Sequence, residues 1–264
     1  MKFDLDRYLT LVERLDEDGI DHDAFRRDPL DPDTLRCLRY MHDVEHHTTC
    51  YLRDLLVTSA HADPEITTFL AMWSFEEHWH GAAIARVLAA HDEPSGRARI
   101  AETRQRVGRD RLRTLSTMAV SAATEHMTTV ALTWGAVNEW TTQAGYVRLA
   151  SIAGHPVLDD LLRRIARQEG RHIDFYASQA ERRLGASPGA RRATRFALAR
   201  RWRPVGSGLM PAAETDHMVA HLFGGAEGRA MTERVDRRIE RLPGLEGLEL
   251  VTRARDRVLA KGAA

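Results

Sequence analysis

The chain has 264 residues, with 38 basic and 38 acidic side chains, and so carries no net charge that would favour a polyanion; nucleic acid is not an expected partner. It contains no apolar run near 20 residues, so no membrane span is expected, and the charges spaced through Met1 to Asp18 leave no apolar stretch for a secretory signal. Cys37 and Cys50 fall about 20 Å apart if they share one helix, too far for a bridge, so both are expected to be reduced packing residues of a cytoplasmic protein.

In chain order, Asp28-Pro-Leu-Asp-Pro-Asp33 is a helix start. It introduces one helix in which Leu38, Met41, Glu45, Thr48, Leu52 and Leu55 share a stripe at helical period. Asp63-Pro64 starts the next helix, whose stripe runs through Trp73, Glu77, His80, Ile84, Val87 and Leu88, and His91 to Gly96 ends it. A long segment from about 97 to 149 is expected to hold two helices, the second with Glu139 and Thr142 on its apolar face. Ala153-Gly-His-Pro156 precedes a helix striped by Leu158, Leu162, Ile165, Glu169, His172, Ile173 and Tyr176. Beyond Gly185 to Gly189, shorter helices are bounded by Arg203 to Gly208 and by Leu242-Pro-Gly244. No stretch alternates as a strand would, so the expected fold is all-α. One domain is expected over 1–264, a bundle core of about 35–185 with a C-terminal helical extension of about 190–264.

Two of these stripes carry a carboxylate and an imidazole three residues apart, Glu77 with His80 and Glu169 with His172, which places each pair on one buried face. A chain of this composition contains about one E-x-x-H by chance. A third, Glu214 with His217, follows Pro211 at an expected helix start and is read as that chance member, since acidic residues favour a first turn. The other two are each preceded by a helix with one Glu on its apolar face, Glu45 and Glu139, so the order is E, E-x-x-H, E, E-x-x-H. That is the ligand set of ferritin-like carboxylate bundles. Four buried carboxylates need about four positive charges, which two divalent ions supply, and oxygen donors with one imidazole per metal suit iron or manganese.

Among the remaining polar residues, Glu76 is expected behind the ligands or in solvent, and Glu125, about 21 Å along the helix from Glu139, lies beyond coordination reach. His42, His46, His47, His78 and His126 are read as exposed or as satisfied core residues. Arg182 to Arg203 contains eight Arg and no acid, which would suit an acidic partner, although nearly all basic residues of this chain are Arg.

The segment Trp73-x-x-Glu76-Glu77-x-x-His80-Gly81 resembles the W-x-x-E-E-x-R-H-G stretch of soluble acyl-acyl-carrier-protein desaturases, and Ile165-Ala-x-x-Glu169-x-Arg171-His172 resembles their I-A-x-D-E-x-R-H. Asn138-Glu139-x-x-Thr142 is similar to their Q-E-R-A-T, and Glu45 with Tyr51 fits their first-ligand helix; the likeness spans about 38 to 183. It implies a ferritin-like four-helix bundle in which Glu45, Glu77, His80, Glu139, Glu169 and His172 hold two iron ions, with Thr142 beside the oxygen-binding face. It further implies an enzyme of fatty acid metabolism that uses two electrons and O₂ to remove hydrogens from an acyl chain on acyl carrier protein. A ferredoxin-type electron donor and a homodimer belong to the same expectation. Two departures stand out: Gln168 replaces the family's Asp, and an upstream W-x-P segment has no clear counterpart. A di-iron oxygenase, a hydroxylase or N-oxygenase, therefore stays open as an alternative, although Ile165 stands where amine N-oxygenases add a third His. An iron-binding ferritin-like protein without catalysis is a further alternative.

Overall fold

The computed structural model describes residues 3–106, 118, 121 and 124–262, and among these every regular element is a helix. The N-terminal part contains α1 (Leu5–Leu11), α2 (Ala24–Arg27), α3 (Pro32–Glu45), α4 (Thr48–Leu56), a 3-10 turn (Ser59–Ala62), α5 (Pro64–Ala90) and α6 (Gly96–Arg106). After the segment around 107–123 come α7 (Met127–Ala153), α8 (Pro156–Ala186), α9 (Pro188–Arg201), α10 (Ala212–Phe223), α11 (Gly225–Ile239) and α12 (Leu250–Gly262). The second helix expected between 97 and 149 is thus α7, and part of the connection to it lies outside the described residues.

Four of the longer helices begin on a capping side chain followed by proline. Asp31 accepts from the backbone N–H of Asp33 and Thr34, Asp63 from Glu65 and Ile66, His155 from Leu158, and Ser187 from Ala190, with Pro32, Pro64, Pro156 and Pro188 next in line. Proline fits there because its missing N–H would have no helical partner and its φ is already helical. Asp63 also receives Arg183 at 2.9 Å, tying the start of α5 to the end of α8. Asp63→Ala is expected to lower stability by about 1 kcal/mol, read as a drop in the thermal midpoint without loss of helical signal.

The helix expected through Leu38, Glu45 and Leu55 is in fact two, broken at His46 and His47. His-His-Thr-Thr at 46–49 is a run of weak helix formers, and the N–H groups of His47 and Cys50 bond carbonyls three residues back instead of four. Likewise α7 begins at Met127, so Glu125 lies in the turn before the helix, exposed.

Helices α3, α5, α8 and α7 pack in a ring, α3 on α5, α5 on α8, α8 on α7 and α7 back on α3. The two-residue link Gly154-His155, with Gly154 in the left-handed region at φ 62°, folds α8 back along α7, and these two make the longest interface. Next to His172, stacked Phe69 and Phe175 lie 3.6 Å apart with Phe3 edge-on to both. The C-terminal helices are not a loose appendage: α10 packs on α3 and α7, and α11 packs on α7 and α12. Asp236 of α11 accepts from the N–H groups of Val251 and Thr252 at 2.9 Å and so caps α12 from outside it. No described helix is long and apolar enough to cross a membrane.

Candidate metal centre

The six acidic and imidazole residues that the sequence stripes direct inward are all buried. Relative exposure is 3% for Glu45, 5% for Glu77, 6% for Glu139 and 0% for His80, Glu169 and His172. One group of donors consists of Glu45, Glu77, His80 and Glu169, and a second of Glu77, Glu139, Glu169 and His172, each with its donor atoms within 4.8 Å of one another. Helices α3, α5, α7 and α8 contribute one carboxylate each, and Glu77 and Glu169, the carboxylates of the two E-x-x-H pairs, belong to both groups. Each of these two carboxylates therefore has an oxygen within reach of both groups.

Both imidazoles present Nδ1 to the donor groups. His80 Nδ1 lies 3.3 Å from Glu169 Oε1 and 3.9 Å from both Glu45 Oε2 and Glu77 Oε2. His172 Nδ1 lies 3.1 Å from Glu77 Oε1, 3.0 Å from Glu169 Oε2 and 4.0 Å from Glu139 Oε2. Glu45 Oε2, His80 Nδ1 and Glu169 Oε1 are buried without a hydrogen bond, although all three belong to one donor group. Unsatisfied buried polar atoms are costly, and three converging on one point fit a cation held between them. The donor set, oxygen-rich with an imidazole in each group, suits a divalent ion of the iron and manganese type.

In the metal-free chain the clustered carboxylates shift one another's protonation. Burial, and then the charge of Glu77, hold the Glu45 carboxyl well above the usual range, and burial together with Glu169 does the same for Glu139. Burial and the Glu169 charge push Glu77 up to about 7. Glu169 goes the other way: burial favours its neutral form, but the hydrogen bond from His172 and the charge of the nearby His80 outweigh burial and keep it ionised. His172 is raised well above the ordinary imidazole value, since its hydrogen bonds to Glu169, Glu76 and Glu77 overcome the opposing effect of burial. Protons therefore occupy part of the role that metal charge would fill.

Behind the donors lies a set of contacts that the sequence pattern only partly indicates. The outer nitrogen of His172, Nε2, meets Glu76 Oε2 at 3.0 Å, and that of His80 meets Gln168 Oε1 at 2.8 Å. Glu76, expected behind the ligands or in solvent, is fully buried; it accepts from Tyr8 at 2.7 Å and from Arg171 at 2.5 Å. Burial works against its charge, but His172, Tyr8 and Arg171 hold its pKa below the usual carboxylate value. Tyr146 donates a short hydrogen bond to Glu45. Tyr8 reaches Glu76 across 68 positions, a pairing that no local spacing reveals, whereas Tyr146, seven residues after Glu139, shares its helix face and was open to a periodicity argument.

Glu45 borders two cavities that differ in their lining. One is almost wholly apolar and lies between the bundle and the C-terminal helices, lined by Met41, Thr142, Tyr146, Trp202, Met218 and Leu222 among others. Thr142, half-buried one turn past Glu139, opens onto this cavity and is not one of the donors. The other is mixed, with His46, Thr48, Ser74, His78 and Arg104 beside Ile100 and Ala101 in its walls.

The remaining candidates sit elsewhere. Glu214 makes a two-pronged ion pair with Arg36 at 2.8 Å, and His217 faces Asp33. Neither joins a donor group, nor do His42, His46, His47, His78 or His126. No protein-family model matches the chain, and a comparison with curated proteins returns no match.

Proposed function

We propose that this chain is a di-iron, O₂-dependent oxidoreductase acting on an acyl chain, in the manner of the acyl-acyl-carrier-protein desaturases it resembles. The observation that supports this reading best is the apolar cavity lined by Glu45 and Thr142, which sets an apolar space against one member of the six-residue donor set. Glu45, Glu77, His80, Glu139, Glu169 and His172 would hold two iron ions, with manganese as the chemically similar substitute. Bound iron supplies the activation of O₂ needed to break an unactivated C–H bond.

The chain's own residues do the positioning. Met41, Val44, Met218, Leu222 and Phe223 line the cavity that receives the hydrocarbon and exclude water from it. Tyr146 fixes one oxygen of Glu45 and leaves the other directed at the donor group. Thr142, in the cavity wall one turn past Glu139, would orient a polar atom next to the metals. In the same proposal the acyl group arrives on a carrier protein, a ferredoxin-type protein supplies electrons, and the enzyme is a cytoplasmic homodimer.

The decisive experiment reduces the iron-loaded protein chemically, adds O₂ with free and carrier-bound acyl substrates, and weighs the products. Loss of two hydrogens supports desaturation, whereas gain of one oxygen supports the oxygenase alternative. Unchanged acyl chains in a protein holding two irons would overturn the acyl assignment. Thr142→Val is expected to keep the full metal content and slow O₂ consumption roughly tenfold, the rate equivalent of about 1.4 kcal/mol.

A further inference from the structure

The contacts behind the two histidines are reciprocal but unequal. The residue just before each ligand Glu crosses the bundle to the histidine of the other pair. Glu76 precedes Glu77 and bonds Nε2 of His172, while Gln168 precedes Glu169 and bonds Nε2 of His80. One arm therefore ends in a carboxylate and the other in a neutral amide. The N-terminal segment reinforces the difference: Tyr8 donates to Glu76, whereas near Gln168 it offers only the backbone carbonyl of Glu13, which accepts from the amide nitrogen at 3.4 Å. Arg171 adds a further partner on the Glu76 side alone.

An imidazole that donates its outer N–H to a carboxylate is a stronger metal donor than one donating to an amide, and outer partners of this kind change metal affinity by about 10–100-fold. Resting on the two-metal reading above, we infer that the centre is built asymmetrically: the position served by His172 and Glu76 takes its ion first and more tightly than the position served by His80 and Gln168. Glu76 and Gln168 are positioning residues that set this order. They touch neither the ions nor the cavity, since neither belongs to the donor groups or to the cavity walls.

The test titrates the metal-free protein with cobalt(II), following absorbance bands and heat. Because a first ion repels a second, variants carry the comparison. Gln168→Glu is expected to tighten the weaker step about tenfold or more, shift the bands that grow in with that step, and leave the tighter step unchanged. Gln168→Leu should loosen the weaker step, and Glu76→Gln should loosen the tighter one. A Gln168→Glu variant with both steps unaltered, or any of the three variants moving both steps equally as general damage would, overturns the asymmetry while the two-metal reading stands. A wild-type protein that binds no cobalt at either step overturns the two-metal reading itself.

Discussion

Glu77→Ala and Glu169→Ala are each expected to abolish metal binding at both positions, while Glu45→Ala and Glu139→Ala each leave one ion. The reason is geometric. Glu77 and Glu169 belong to both donor groups, so either loss strips two centres at once, whereas Glu45 and Glu139 serve one group apiece. Alanine at either position also takes from His172 Nδ1 one of its two nearest oxygens, Glu169 at 3.0 Å or Glu77 at 3.1 Å. Glu214→Ala is the control that separates the E-x-x-H pairs. Its carboxylate is about one-third exposed and engaged by Arg36, so its loss should cost no more than about 1 kcal/mol and leave metal content unchanged. Metal analysis of purified variants reads all five. A Glu214→Ala protein as empty as Glu169→Ala would show that the Glu214 pair takes part in holding the metal.

That choice was legible in the sequence because helical spacing is a local property. The stripes through Trp73, Glu77 and His80 and through Ile165, Glu169 and His172 put all six residues inside, and each is buried. The Pro-marked starts at Pro32, Pro64, Pro156 and Pro188 were equally local, a capping side chain and a ring at fixed offset. What spacing cannot reveal is which distant segment closes on a site. Tyr8 on Glu76 and the Glu13 carbonyl beside Gln168 come from a segment with no periodic link to the bundle, and the break at His46 depends on a run of weak helix formers within an otherwise continuous stripe. Part of the Arg-rich stretch is likewise answered by acids far away in sequence, Arg182 by Glu65 and Arg183 by Asp63. The C-terminal helices read as an appendage from breakers alone, yet they form one wall of the apolar cavity, since Met218, Leu222, Val251 and Ala254 all face it.

Removing metal is expected to lower the melting temperature, and to do so more at pH 7.5 than at pH 5.5. Glu77 in the folded chain is pushed up to about 7 against 4.5 when unfolded, and Glu45 and Glu139 are raised well above the usual carboxylate value as well. Between the unfolded and folded values the native state binds more protons than the unfolded one, so stability falls as pH rises, by up to about 1.4 kcal/mol per pH unit for each such group. His172 and His80 act in the same direction: their raised folded values give stabilisation that is complete below the unfolded value of 6.5 and is lost as pH climbs through the folded one. Glu169 opposes this only in acid, where its lowered folded value makes its stabilisation disappear as pH drops below the usual carboxylate range. The metal-free protein should therefore be firmer in mild acid and weaken towards pH 8. Metal reverses the slope, because binding requires the carboxylates ionised and an outward-facing proton on each histidine only, so its contribution grows with pH. At a thousandfold excess over Kd an ion adds about 4 kcal/mol, on the order of 10 °C for a chain of this length. Melting curves with and without metal at the two pH values test the whole scheme. Equal midpoints with and without metal at pH 7.5, or a metal-free midpoint that rises from pH 5.5 to 7.5, would mean that these carboxylates stay ionised in the empty bundle and that water, not metal, meets their charge.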